Sequence, residues 1–156
     1  MQLSTELKVQ FDVDHGVVVP VEVRLDDLDA GAVVYNARYA TLAEAAIFRL
    51  WAQHGAIYRD GRFEGPDATH MVREFWIEYL APITGTGEIA VHLWVERLGT
   101  TSVVYGFKIY TSDGGVLYAR GRRAMVNVHP STRRPYPWSE QFREWSQPLV
   151  REELPG

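Results

Sequence analysis

The chain reads as an α+β protein: a strand, one long helix, then an antiparallel run of four strands. Three observations carry this. Tyr39, Leu42, Ala43, Ala46, Ile47, Leu50 and Trp51 follow the i, i+3, i+4, i+7 rule of a helix face without a miss. Apolar residues then alternate along 89–95 and 103–109, the period of strands with one face in a core. Gly99-Thr100 and Asp113-Gly114 punctuate that run where hairpin turns are needed.

The elements follow in order. Leu7, Val9, Phe11 and Val13 alternate with polar residues and predict a first strand, broken by His15-Gly16. Val17, Val19, Val21, Val23 and Leu25 share one face of a second strand. Pro20 within it has no N–H to give a ladder, so that strand belongs at a sheet edge or carries a bulge. The helix is expected over 36–54, with Asn36 as N-cap and Gly55 as its stop. Ala40 widens its apolar arc to about half the circumference, so it lies deep against a sheet. Residues 56–70 have no period and read as a loop. Four strands follow, at about 71–80 (ended by Pro82), 87–99, 101–111 and 115–129. From Pro130 the texture changes. Ser139 suits the cap of a short helix that aligns Trp138, Phe142 and Trp145. The expectation is a single domain over 1–156 with its core at about 16–129. The tail, 130–156, packs on the sheet or on a partner subunit.

Composition narrows the function. The 156 residues carry 46% hydrophobic and 23% charged residues, the balance of a soluble globular domain. A net charge of −4 argues against nucleic acid as partner. No apolar run reaches membrane-spanning length, and the first ten residues lack the pattern of a signal peptide, so the expected compartment is cytoplasmic. With no cysteine, disulfides, thiolate metal sites and a cysteine nucleophile are excluded. His15, His54, His70, His92 and His129 are scattered without an i, i+4 pair, so no metal site is expected. GxSxG, GxGxxG and GxxxxGK[ST] are all absent.

What remains is the acidic turn Asp26, Asp27, Asp29 before the helix. The first turn of a helix presents N–H groups without intrahelical partners at the positive end of the dipole, a place to stabilise a developing oxyanion. A carboxylate just upstream can act on the same carbonyl as base or nucleophile. Acidic turns also cap helices, and on spacing alone capping is the simpler reading.

The stretch "RLDDLDAGAVVYNARYATLAEAA", with "VREFWIEYLAPITGTGEIAVHLWVERLGTTS" and "ARGRRAMVNVHPSTRRP", resembles the hotdog-fold acyl-CoA thioesterases of the 4-hydroxybenzoyl-CoA thioesterase type. The resemblance covers roughly residues 17–135. It implies a hotdog fold, an antiparallel sheet wrapped around one long central helix, in homodimers or tetramers with the active site between subunits. Carried over position by position, it makes Asp29 the catalytic carboxylate, the backbone N–H of Asn36 the carbonyl-polarising donor, and Glu44 a helper. It implies hydrolysis of an acyl-CoA, with no cofactor beyond the coenzyme A moiety of the substrate. The family's glycine three residues after the carboxylate is Ala32 here, with glycine at 31 instead.

Other readings stand beside these roles. Glu44 lies at the edge of the apolar stripe, where a boundary residue reaching water is the simpler account; burial would raise its pKa instead. Arg97, Arg120 and Arg122 are candidates for the phosphates of coenzyme A, and Thr101 and Ser102 for its pantetheine arm, although surface solvation and turn chemistry explain the same residues. Of the aromatics Tyr58, Phe63, Phe75, Trp76 and Trp94, those in 56–70 are expected to touch substrate. The alternative function is a non-catalytic binder of acyl thioesters or other hydrophobic ligands on the same fold, with Ala32 as its main support.

Overall fold

The computed structural model describes residues 11–65, 67 and 69–151. A five-stranded antiparallel sheet has the order β1-β5-β6-β7-β4, built from β1 Val17–Val23, β4 His70–Tyr79, β5 Gly87–Leu98, β6 Ser102–Thr111 and β7 Leu117–Asn127. Helix α1, Arg38–Gln53, lies in the connection between the two edge strands, followed by a small hairpin of β2, Ile57–Arg59, and β3, Arg62–Glu64. The short helix α2, Glu140–Ser146, closes the described chain with a 3₁₀ turn at 147–149.

Alternation decides which face of the sheet is buried. Val19, Val21 and Val23, Ile89 to Val95 at alternate positions, and Val103, Tyr105, Phe107 and Ile109 all join one core with the seven helix-face residues of α1. Each such side chain removes apolar surface from water at about 25 cal/mol per Å², which sets the helix on the sheet. Trp51 of α1 donates its indole N–H to the hydroxyl of Tyr105 on β6 at 2.9 Å. Burial pushes the Tyr105 phenol up, so that hydroxyl stays protonated. At Gly121 an added Cβ would sit 2.1 Å from the Trp76 carbonyl, so β4 packs there only on glycine.

Pro20 does lie on an edge strand, opposite Ala90 of β5. The expected strand over 7–13 is not there in its described part: Phe11 to Asp14 form no strand, and Leu7 and Val9 lie outside the described residues. Strand β1 stops at Val23, and Leu25 is 80% exposed at the start of a 3₁₀ turn. The helix begins two residues later than expected, and Asn36 does not cap it. The chain enters through a tight turn instead, with Arg38 N–H donating to the Tyr35 carbonyl at 2.8 Å. Gly55, at φ 96°, ends the helix as expected.

Residues 56–70 are not all loop. Asp60 and Gly61 both take positive φ, 50° and 79°, and turn a hairpin of two three-residue strands. The Asp113-Gly114 turn joins β6 to β7 with only Gly114 in the left-handed region. In the tail, the Ser139 hydroxyl accepts from Phe142 N–H at 3.1 Å and caps α2 as expected. Phe142 packs on Trp138 and Trp51, and Arg151 N–H reaches the Val95 carbonyl beside β1.

Candidate functional site

The acidic turn folds into three distinct roles. Asp27 is buried; its carboxylate accepts from Arg24 N–H at 2.8 Å and its carbonyl from Tyr35 N–H at 2.9 Å. It shapes the turn. Asp26 is exposed. Asp29 is exposed as well, and its Oδ1 accepts from Gly31 N–H at 2.8 Å and Val33 N–H at 3.4 Å, which fixes the carboxylate on the outer surface of the loop. Ala32 takes φ 59°, the left-handed conformation glycine adopts without cost, while Gly31 does not. The loop therefore keeps a glycine-like bend at position 32 despite the methyl group. The Ala32 carbonyl accepts from Gly85 N–H, Val34 N–H donates to the Ile83 carbonyl, and the Tyr39 hydroxyl accepts from Ile83 N–H. The spaced residues of the acidic stretch thus clamp the helix mouth onto the 83–85 turn.

At the mouth itself, Tyr79 donates its hydroxyl to the Asn36 carbonyl at 3.0 Å. Among the described residues no acceptor takes the backbone N–H of Asn36 or Ala37. Two N–H groups at the positive end of a 16-residue helix therefore stand open beside the Asp29 loop.

Glu44, further along α1, ion-pairs with Arg123 of β7. Arg123 points inward with Ala119 and Met125 and is 7% exposed, and its Nε has no hydrogen-bond partner. The Glu44 side chain is 37% exposed, so it is a boundary residue whose carboxylate is held by a buried guanidinium. The pairing of Arg123 with Glu44 was not anticipated from the sequence.

The basic candidates lie on the outer face of the sheet. Arg120 is bound to its cross-strand neighbour Glu78 at 2.9 Å, and Arg122 lies 5.6 Å over the Trp76 ring. Arg97 borders a shallow hollow with Arg122 and Glu74. Thr101 and Ser102 form the β5–β6 hairpin, whose carbonyls at Gly99 and Thr100 accept from Arg143 of α2. Arg97, Thr101 and Ser102 sit at the end of β5 remote from Asp29. The 12 residues of that strand separate them by roughly 35 Å.

A cavity of about 220 Å³ opens at the C-terminal end of α1, walled by Phe48 and Trp51 of α1, Tyr58 and Phe63 of the β2–β3 hairpin, and Trp145 of α2. Tyr58 and Phe63, the two aromatics of the 56–70 segment expected to touch substrate, line it. Phe75 stacks on Phe107 in the core, and Trp76 and Trp94 face the other side of the sheet. His70 contributes a buried Nδ1 with no partner, and burial lowers its pKa. The share of α2 in the cavity was missed in the sequence because it comes from a distant segment, and the Asp60-Gly61 turn was the local signal for the hairpin. Among the described residues no three His, Asp or Glu side chains come together as metal ligands, and no helix is long and apolar enough to cross a membrane.

Residues 23–146 match the model of the Thioesterase-like superfamily. An acyl-CoA thioester hydrolase of Escherichia coli is 26% identical over 98 residues, 63% of this chain and 72% of that protein. A 1,4-dihydroxy-2-naphthoyl-CoA hydrolase of Microcystis aeruginosa is 24% identical over 79% of this chain and 87% of its own length. A thioesterase from Thermus thermophilus, crystallised with coenzyme A and Zn, superposes with a TM-score of 0.68 at 27% identity, covering 90% of this chain and 98% of that one. The antiparallel sheet with its helices is the hotdog arrangement of these thioesterases.

Proposed function

The chain belongs to the Thioesterase-like superfamily, and from that premise we propose that it hydrolyses an acyl-CoA to the free acid and coenzyme A through Asp29 and the mouth of α1. The observation that carries this reading is the pair of open N–H groups at Asn36 and Ala37 beside a carboxylate held by two backbone donors. A thioester carbonyl directed at Asn36 N–H gains stabilisation as its oxygen becomes negative. Asp29 either takes the proton of an attacking water or attacks the carbonyl itself. In the first route water's oxygen joins the acyl carbon, the C–S bond breaks and the abstracted proton leaves on the thiolate of coenzyme A. In the second the C–S bond breaks as a mixed anhydride with Asp29 forms, and water then hydrolyses it, releasing the acid, restoring the carboxylate and supplying the thiolate's proton. Glu44 assists, its carboxylate oriented by Arg123. The substrate brings its own coenzyme A moiety, and no metal or prosthetic group takes part.

The acyl group belongs in the aromatic cavity, which lies at the other end of α1 from Asp29 within one chain. A homodimer joined through the edge strand β4 reconciles the two. Antiparallel pairing about a twofold axis sets the His70 end of one β4 beside the Tyr79 end of its partner. It covers exposed Met71, Val72, Trp76 and Tyr79, and brings the helix mouth of one protomer toward the cavity of the other. Arg97 and Arg122, which have no carboxylate partner among the described residues, are then the phosphate ligands to test before Arg120, with Thr101 and Ser102 as pantetheine contacts. Ala32, the support of the alternative binder without turnover, takes the left-handed bend open to glycine, which favours turnover.

The test is complementation. Asp29→Ala and Ala52→Trp, the second filling the cavity, are each expected to abolish thiol release. Co-expressed in equal amounts, they form mixed dimers with one intact site in two, so about a quarter of wild-type activity returns. No recovery, with both variants folded and mixed dimers formed, contradicts a site shared between protomers.

A further inference from the structure

Part of the cavity wall comes from the C-terminal helix α2, beside the share of the β2–β3 hairpin and of His70. Trp145 of α2 stacks on His54, ring centroids 4.5 Å apart and planes within 3°. The wall is braced from both sides. The Asp67 carboxylate accepts from Ser139 N–H at 2.8 Å and from its hydroxyl at 2.6 Å, tying the start of α2 to the segment that leads into β4. Phe142, 1% exposed, anchors the same helix between Trp138 and Trp51. Five rings, those of Phe48, Trp51, Tyr58, Phe63 and Trp145, stand in the described lining, and rings do not yield as a methionine does. The space they enclose is about 220 Å³.

We propose that α2 gauges the acyl group: Trp145, held against His54, restricts this enzyme to compact acyl groups and is its size-determining residue. This rests on the reading that the cavity receives the acyl group. Trp145 touches the end of the acyl group farthest from the thioester, so it acts on which substrate binds and not on the bond that breaks. Truncation opens that side toward α2 without disturbing Asp29 or Asn36, which belong to the other end of α1.

Thiol release is measured for wild type, Trp145→Ala, Trp145→Phe and His54→Ala over saturated acyl-CoAs from four to sixteen carbons, with Ala52→Trp as control. Wild-type kcat/KM is expected to fall about tenfold or more once the acyl group outgrows the cavity. In Trp145→Ala the optimum moves to longer chains, with a gain in kcat/KM of at least tenfold there relative to the shortest substrate. Trp145→Phe falls between the two. His54→Ala, which leaves the anchor of α2 in place, moves the optimum the same way and carries the test if Trp145→Ala fails to fold. An unchanged length profile in folded Trp145 and His54 variants, while Ala52→Trp depresses every substrate, overturns the gauge and leaves the cavity as the acyl site. If Ala52→Trp is also without effect, the acyl group lies elsewhere and the underlying reading falls with the gauge.

Discussion

Replacing Glu44 by Gln removes one charge and almost no volume, and its cost follows from where the partner sits. Arg123 is 7% exposed, its Nε is already without a hydrogen bond, and its side-chain ion pair is with Glu44. Breaking a fully buried pair by removing one partner costs about 3–5 kcal/mol, and an exposed pair is worth about 0–1 kcal/mol. With the Glu44 side chain 37% exposed, an intermediate cost of about 2 kcal/mol is expected. The two ends of the pair are not equivalent. Arg123→Met should cost less, since Glu44 can turn to water while Arg123 cannot. The double variant Glu44→Leu, Arg123→Met should lie within about 1 kcal/mol of wild type, because apolar side chains fill the same space without a buried charge. Urea denaturation of the four proteins at pH 7 measures this from midpoint and slope. A loss at Glu44→Gln below about 0.5 kcal/mol, or a double variant as unstable as the two singles summed, would refute the claim that Arg123 depends on Glu44.

Other outcomes follow from single features. Ala32→Gly relieves a left-handed alanine at about 1–2 kcal/mol but adds backbone entropy to the unfolded chain at about 0.5–1 kcal/mol, so it should stabilise by roughly 0.5–1 kcal/mol and raise Tm by a few degrees. An unchanged or lower Tm contradicts the strain assigned there. Ser139→Ala removes both a helix cap and a bond to Asp67 and should cost about 1–2 kcal/mol, read by chemical denaturation, whereas Ser139→Asn should recover part of it. Burial holds the His70 and His92 pKa values below 6.5 in the folded chain, so below about pH 6.5 the unfolded chain takes up protons that the folded chain refuses. Stability is therefore complete above pH 6.5 and falls as pH drops; Tm compared at pH 7.5 and 5.5 should show this, with a shallower fall in His70→Gln.

The parts legible in the sequence are those whose repeat runs long enough to declare itself. Seven helix-face residues and the alternation of β5 and β6 each span several periods, and their buried faces match the sequence pattern residue for residue. The β2–β3 hairpin has strands of three residues, too few for a period, although Asp60-Gly61 marked its turn. Asn36 looked like a cap by residue type, but Tyr79 and the turn from Tyr35 determine how the chain enters the helix, and Tyr79 lies 43 positions away. Glu44 with Arg123, and Asp67 with Ser139, are pairs 79 and 72 residues apart that no local pattern announces. Asp27 and Asp29 look alike in sequence. They separate only when the backbone closes on one and leaves the other at the surface beside open N–H groups.

The central claim is that the Asp29 carboxylate at the mouth of α1 carries thioester hydrolysis. Asp29→Asn keeps the loop acceptors for Gly31 and Val33 while removing the charge, so the loop should stay folded. Thiol release from an acyl-CoA that the wild type cleaves should drop by about 100-fold or more in kcat, with Tm unchanged. Wild-type kcat in Asp29→Asn would contradict the account.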